Sequence, residues 1–371
     1  MTDREFGVVI GDDGQCNCCK EALARMPLEW WPGPEGVRRL TSLVDQLKIS
    51  GRGKPYDALV GLSGGVDSAY LAYRMSGLGL RLLAVHVDAG WNSEPAVHNI
   101  EKLVRGLDLD LYTHVVEWSE MRDVQLAFLK AGVLNQDFPQ DHAFFATLNK
   151  VARQFKIKNF LTGVNFASEN LQVPHGAPSS TDGTHLRAIH SAFGDRPLRS
   201  FPVMTMTEYL WSTKIRGWPH RHRPLDFLPY DKEAARRELE GTFGWRDYGP
   251  KHSESRFTKF YQEIYLPRKF GVDKRRLHLS SLIVSGQLTR EAALRELACP
   301  IAQADDARRD LRFVAKKMGI GERTLEGFID ASPRPHAQFA SAAAMTSHLL
   351  AARNLMRSLV NNTSHRLNPK P

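Results

Sequence analysis

An apolar run at Ala58, Leu59, Val60 and Leu62 stops at Ser63-Gly-Gly65 and resumes at helical spacing through Val66, Tyr70 and Tyr73. The period changes from continuous to 3.6 residues across a glycine pair, which predicts a buried strand, a tight turn and a helix. The alternation then repeats. Arg81 to Val87 reads as a second buried strand ending at Asp88-Ala-Gly90, followed by a helix with Val97, Ile100, Leu103, Val104 and Leu107 on one face. Leu111 to Val116 makes a third strand, and a helix around Met121 to Lys130 leads into Gln136-Asp-Phe-Pro-Gln-Asp-His142. The next helix turns Phe144, Phe145, Leu148, Val151, Ala152 and Phe155 inward, and Asn159 to Thr162 is the fourth strand, ending in Gly163-Val-Asn165. Strands at this spacing with helices between them predict right-handed crossovers and an α/β fold with a doubly wound parallel sheet. Ligands of such sheets collect at the carboxyl ends of the strands, where Ser63, Asp88 and Gly163 fall.

The flanks carry other patterns. Val37, Leu40, Leu43, Val44 and Leu47 mark an amphipathic helix from about Pro34 to Ile49, after a Trp30-Trp31-Pro32 turn. Past Glu169 come Pro174, Gly176, Pro178, Ser179, Ser180 and Gly183, a composition that suits a substrate loop or lid. An aromatic-rich segment from Phe193 to Trp245 reads as helical packing against the sheet, and the polar stretch Gly244 to Arg256 is able to bind anions. A helix over Phe257 to Pro267, a helix start with Thr289 as N-cap and a small helical stretch over 300–330 make the C-terminal region mainly helical. Gln338 to Val360 reads as an Ala-rich helix and Asn361 to Pro371 as a frayed tail. The expected division is a Cys-containing lead-in over 1–50, an ATP-binding α/β domain over 51–195, a substrate- or partner-binding helical region over 196–330 and an extension over 331–371.

Composition narrows the class. With 371 residues, 42% hydrophobic and 25% charged, the chain reads as an ordinary globular protein with ample core. No run approaches a membrane span and the first residues are not a signal peptide, so the expected address is cytoplasmic. A formal charge of +9 and basic clusters at Arg216 to Arg223 and Arg268 to His278 call for anionic ligands, small molecules before nucleic acid, since neither cluster has a nucleic-acid fold signature. Four cysteines, three of them at 16, 18 and 19, do not form a disulfide framework. Cys16 and Cys19 have the spacing of half a zinc site, and Cys299 alone does not complete it.

The chemistry centres on the first turn. A strand feeding a helix through Gly64 and Gly65 aims backbone N–H groups, the hydroxyls of Ser63 and Ser68 and the helix dipole at one spot, which favours an anion. No Gly-Lys-Ser/Thr follows, so this is not a Walker loop. Ser63-Gly-Gly-Val-Asp-Ser68 instead resembles the pyrophosphate loop of the PP-loop ATP-pyrophosphatase superfamily, with its adenine nucleotide alpha-hydrolase-like fold.

Further stretches narrow the resemblance: Asp88-Ala-Gly-Trp-Asn-Ser-Glu94, Asp137 to His142, Leu161 to Glu169, Gly244-Trp-Arg-Asp-Tyr-Gly249, Lys251 to Lys259 and Ser285 to Glu291. Over roughly residues 10–300 the chain resembles the N-acetyl sugar amidotransferases of surface-polysaccharide (lipopolysaccharide O-antigen) biosynthesis. That resemblance implies ATP and Mg²⁺, a nucleotide-linked sugar or sugar acid as substrate, and ammonia from a partner glutaminase. It implies pyrophosphate held by Ser63, Gly64, Gly65, Val66 and Ser68, Asp67 orienting the loop or placing Mg²⁺, and a cation from Lys251, Arg256, the rest of Lys251 to Lys259, or Arg268. Val87, Asp88 and Gly163 would border the adenine and ribose; Asp141, His142, Asn165 and Glu169 would meet the sugar. Relatives tend to carry an additional Cys-x-x-Cys ahead of the segment matching Met1 to Asp13, so zinc at Cys16 and Cys19 stays open. The competing expectation is a PP-loop enzyme of tRNA thiolation, against which stands the lack of any cysteine near Ser63, Asp88 or Gly163 in the sequence.

Overall fold

The structure, a computed structural model, describes residues 1, 7–171, 176–211, 219–249 and 253–342. Its frame is one parallel sheet with strand order β3-β2-β1-β4-β5, where β1 is Ala58–Gly61, β2 Leu82–Asp88, β3 Asp110–Val115, β4 Asn159–Leu161 and β5 His220–His222. Before β1 lie α1 (Asn17–Glu29) and α2 (Pro34–Ser50); α3 (Val66–Gly77) joins β1 to β2 and α4 (Glu94–Gly106) joins β2 to β3. Between β3 and β4 run α5 (Trp118–Ala131) and α6 (Phe138–Gln154), and α7 (Phe166–Glu169), α8 (Gly183–Phe193), α9 (Met206–Leu210) and α10 (Lys232–Phe243) follow.

Successive strand residues enter opposite cores because side chains alternate across a sheet. Ala58, Val60 and Leu62 pack with α2, α3, α4 and α10, whereas Leu59 with Leu83 and Val85 meets Leu148, Val151 and Ala152 of α6. Both faces are covered, which is why β1 is apolar throughout. The chain runs outward from β1 to β3, then crosses back to place β4 on the other side of β1. That reversal opens a crevice at the carboxyl ends of β1 and β4.

A third core joins α5 and α8 to the C-terminal helices α11 (Arg256–Phe260), α12 (Leu266–Phe270), α15 (Ala304–Met318) and α16 (Glu322–Asp330). Between α11 and α12 the helix widens into a π turn at Tyr261–Tyr265, so the helix expected over Phe257 to Pro267 runs on to Phe270. The wider turn accommodates Pro267, which lacks an N–H and would crowd a carbonyl one α-turn back. After α13 (Lys274–Val284), α14 (Arg290–Ala298) is capped as expected by Thr289, whose hydroxyl accepts from Ala292 N–H. None of the helices in the described residues is long and apolar enough to cross a membrane.

Several expectations change. Val97 is 51% exposed, because the inward stripe of α4 is Ala96, Asn99, Ile100 and Leu103. The α6 helix starts at Phe138 rather than after His142, with Pro139 in the first turn, where a missing N–H goes unnoticed. Strand β5, polar and three residues long, had no strand signal and forms through pairing with β4. The Ala-rich helix expected over Gln338 to Val360 and the tail beyond lie mostly outside the described residues; His336–Gln338 is a 3₁₀ turn.

Candidate active site

The Ser63–Ser68 turn is braced by its own hydroxyls. Gly65 N–H donates to Ser63 Oγ (3.2 Å), Ser63 N–H donates to Ser68 Oγ (3.4 Å), and Ser68 Oγ–H donates to the Gly65 carbonyl (3.2 Å). Gly64 has φ +83° and rides on the first turn of α4: a Cβ there would lie 2.6 Å from the Ala96 carbonyl oxygen. Gly163, at the end of β4, approaches α3 so closely that a Cβ would sit 2.9 Å from Ser68 N. No side chain caps α3 at Gly65, so the positive end of its dipole faces the crevice.

Asp67, in the first turn of α3, is held from two sides. Tyr230 donates its hydroxyl to Asp67 Oδ1, and Asn165 Nδ2 donates to the same oxygen at 3.4 Å. Burial and the Asp67 charge push the Tyr230 phenol well above its ordinary value, so it stays a donor. Asp67 Oδ2 makes no hydrogen bond among the described residues. Tyr248 OH accepts from Val66 N–H at 3.2 Å, fixing the other side of the helix start.

The crevice is a cleft of about 1160 Å³, bordered by Ser63, Gly65, Asp67, Ser68, Val87 and Gly163. A lobe of about 700 Å³ adjoins it and shares Glu169, Lys232, Tyr248 and Lys274. The segment Ser253–Arg256 forms one rim by pairing with the turn after β2: Ser93 N–H donates to the Glu254 carbonyl and Arg256 N–H to the Trp91 carbonyl, both at 2.8 Å. This brings Glu254 Oε1 within 3.0 Å of where a Gly65 Cβ would stand.

The expected site residues divide accordingly. Ser63, Gly65, Asp67, Ser68, Val87, Gly163, Asp141 and Glu169 line the cleft, Val66 lines the adjoining lobe, and Gly64 supports the turn from α4. Asp88 instead shapes its own turn, its Oδ1 accepting from Gly90 N–H (2.7 Å) and Asn92 Nδ2 (3.0 Å). Asn165 acts on Asp67 and caps α7 rather than facing a sugar. Arg256 is turned away from the cleft, with its guanidinium on Asp310 at 3.1 Å and over the Phe313 ring at 3.5 Å. Arg268 pairs with Asp330 at 2.9 Å, and Lys259 binds Asp310 at 2.6 Å beside the lobe. Lys251 lies outside the described residues. Among the described residues, the side-chain cations bordering the cleft are Arg221, Lys232 and Lys274, one from each basic cluster plus a lysine that pattern did not single out.

His142 is a fastener rather than a sugar ligand. It is fully buried, Nδ1–H donates to the Ser180 carbonyl at 2.7 Å, and Nε2 accepts from Met204 N–H at 2.9 Å. Burial lowers its pKa to about 4. Below the unfolded value of about 6.5 the unfolded chain binds the extra proton, so this contribution is full above that pH and disappears toward pH 4. Between pH 7 and about pH 4.5 the linkage amounts to about 2.5 kcal/mol. Urea unfolding at those two values should show His142→Gln losing less stability on acidification than the wild type; equal losses would contradict the assignment.

Zinc finds no support. Cys16 and Cys19 bring their sulfurs to 3.1 Å, but no group of three or more His, Cys, Asp or Glu side chains suited to a metal occurs among the described residues. Burial and the neighbouring Cys16 thiol raise Cys19 to about 12, which disfavours the thiolate a metal needs. Cys16 and Cys18 pack instead with Val8, Ala22 and Leu171.

Residues 254–352 match the family described as "LPS biosynthesis protein WbpG-like, C-terminal domain". Among solved structures, the NMN synthetase from Francisella tularensis is 15% identical, with a TM-score of 0.35, covering 71% of this chain and 91% of that one. The U34-tRNA thiolase NcsA from Methanococcus maripaludis, with its [4Fe-4S] cluster, is 14% identical, with a TM-score of 0.33 and coverage of 78% and 90%. Comparison with curated proteins gives no match. The region similar to the WbpG-like C-terminal domain is thus docked against a parallel sheet whose first strand leads into Ser63-Gly-Gly-Val-Asp-Ser68.

Proposed function

We propose that this protein is an ATP-dependent amidotransferase that replaces the acetamido (or carboxylate) oxygen of a nucleotide-linked sugar or sugar acid with nitrogen, for lipopolysaccharide biosynthesis. The carrying observation is that the PP-loop and the WbpG-like region border one cleft: Ser63, Gly65 and Asp67 face Glu254, Ser255 and Lys274 across it. ATP fits the residues present. The uncapped start of α3, the Ser63 and Ser68 hydroxyls and a turn without Cβ atoms at Gly64 and Gly65 suit a pyrophosphate. Bound there, ATP would supply AMP to the amide oxygen and turn a poor leaving group into a good one. Asp67 Oδ2, held toward the cleft by the bonds on Oδ1, suits Mg²⁺.

The protein's own contribution is positioning and charge. Lys232 makes no hydrogen bond or ion pair among the described residues and borders both lobes, so it is available to meet charge developing on phosphate. Glu169 stands between the lobes, and Tyr248 fixes the helix start without using its own charge. Ligand sites usually occupy about 300–1,000 Å³. Together the two lobes exceed that range, which supports simultaneous binding of ATP and a nucleotide-sugar. No cysteine borders either lobe among the described residues, which favours nitrogen over sulfur as the incoming atom. Ammonia would arrive from a separate glutaminase.

Incubation with ammonium, Mg-ATP and a panel of UDP-linked diacetamido sugar acids tests the reading. Exchange of oxygen for NH lowers the product mass by about one unit with stoichiometric AMP and pyrophosphate. Pyrophosphate release that ignores every sugar but responds to tRNA would overturn it.

A further inference from the structure

Asp137 was no part of the expected site, yet it stands on the cleft wall in an unusual setting. It occupies the N-cap position of α6, where an aspartate ordinarily accepts a hydrogen bond from the helix backbone, and makes no such bond. Instead Oδ1 accepts from Thr258 Oγ1 of α11 at 2.9 Å and from Gln140 Nε2 at 3.1 Å. Gln140 is itself oriented by Ser255 Oγ, which donates to its Oε1 at 3.1 Å. Ser255 follows Glu254, the residue beside Gly65, so a continuous chain of bonds ties Asp137 to the rim of the pyrophosphate loop. Oδ2 makes no hydrogen bond among the described residues. A carboxylate oriented through one oxygen, with the other left at a cleft, has the arrangement of a proton acceptor.

We propose that Asp137 takes the proton from ammonium at the point of attack, a role that rests on the amidotransferase reading. Ammonium is the prevailing form at neutral pH and has no lone pair to attack with. One N–H bond breaks and an O–H bond forms on Asp137 Oδ2. The freed lone pair forms the C–N bond to the activated carbon while the C–O bond breaks and AMP leaves with its electron pair. A second nitrogen proton shifts to the sugar nitrogen, giving the amidinium, and Asp137 returns its proton to solvent between turnovers.

The surroundings suit this work. Desolvation in the cleft wall and then the charge of Asp141 raise Asp137 to about 8, with Glu254 adding to the rise. Thr258 and Lys274 of α13 act in the opposite direction, and the phenol of Tyr261 from the π turn packs near it, protonated. His86, another basic group on the wall, is committed at both nitrogens, Nδ1 to the Leu62 carbonyl at 2.9 Å and Nε2 to Asn92 Nδ2 at 3.0 Å. Asp137 thus keeps one oxygen without a hydrogen bond among the described residues and a raised proton affinity, its accepting carboxylate form growing as pH rises toward about 8.

The test compares wild type with Asp137→Asn in the intact protein. Sugar-dependent exchange of labelled pyrophosphate into ATP should be preserved, since that step needs no ammonia. Amidine formation with ammonium near neutral pH should fall by about 10²–10⁴-fold. Hydroxylamine, a nucleophile already unprotonated at neutral pH, should restore the variant to within a few-fold of wild type. Stability gives a readout independent of turnover: a raised folded pKa means the buried charge weakens the native state as pH rises, so the variant's lead in Tm should widen between about pH 4 and about pH 8 and level off above. Equal loss with both nucleophiles, unchanged amidine formation, or a Tm difference indifferent to pH would each overturn the role of Asp137. Absence of exchange in the wild type with every sugar would instead overturn the amidotransferase reading, and the proton-acceptor role with it.

Discussion

Asp67→Asn should abolish most turnover while leaving the fold nearly untouched, and Asp67→Ala should damage both. The asparagine oxygen can take the place of Oδ1, accepting from the Tyr230 hydroxyl and Asn165 Nδ2, so unfolding free energy should move by no more than about 0.5 kcal/mol. What disappears is the negative charge at Oδ2. If that charge places Mg²⁺ and orders the loop, sugar-dependent pyrophosphate release should fall by about 10²–10³-fold, the range found for removing one preorganised electrostatic contact. Alanine goes further, because the Tyr230 hydroxyl is buried and loses its acceptor, a cost of about 1–3 kcal/mol. The rival view treats Asp67 as a carboxylate in a first helical turn, worth a few tenths of a kcal/mol against the dipole. Pyrophosphate-release assays beside urea unfolding decide between them: wild-type turnover in Asp67→Asn would establish the rival.

The sheet and its loop were readable because their signals are local. A continuous apolar run at Ala58 to Leu62 means burial on both faces, and a Gly-Gly pair before helical spacing means a turn at a strand end. Tyr230 and Lys232 carried no such signal. They sit in an aromatic and basic stretch without periodicity, and Tyr230 reaches Asp67 and Lys232 the cleft because β5 and α10 return beside β4 and α3. His142 looked like a ligand for want of one fact that sequence does not hold: that Ser180 and Met204 backbone groups close on both of its nitrogens. Arg256 shows the same limit for charge. Its place next to Glu254 and Ser255 is local, whereas the direction of its guanidinium is set by Asp310 and Phe313 on α15, more than fifty residues away. Asp137 was hidden because the helix was expected to start only after His142, which left Asp137 in a polar connecting stretch with no signal to set it apart.

The second large effect is expected from Gly64→Ala, and two separate causes converge on it. A φ of +83° lies where an L side chain crowds its own backbone, at a cost of roughly 1–2 kcal/mol. Beyond that, the added Cβ would lie 2.6 Å from the Ala96 carbonyl oxygen and 2.8 Å from both Ala96 Cα and Cβ. Ala96 is fully buried in the first turn of α4, so backbone rather than a flexible side chain has to move, adding about 1–3 kcal/mol of overpacking. Since Asn99 of the same helix donates toward the Gly64 carbonyl and also bonds Arg246, a shift of α4 would be passed to the segment leading to Tyr248. The expected result is about 2–5 kcal/mol of destabilisation and loss of sugar-dependent pyrophosphate release. Gly65→Ala is the control: its Cβ would meet Glu254 Oε1 at 3.0 Å and Ser63 Oγ at 3.1 Å, side-chain ends that can yield, and its φ is not positive, so the fold should survive. Adding Ala96→Gly to Gly64→Ala separates the causes further, because it removes the Cβ contact and leaves the carbonyl one. Rescue by less than about 1 kcal/mol would assign the cost to the backbone oxygen and the positive φ. A Gly64→Ala protein with wild-type stability and turnover would mean that the turn can retreat from α4, and then the rigid cradle required for a departing pyrophosphate would not exist.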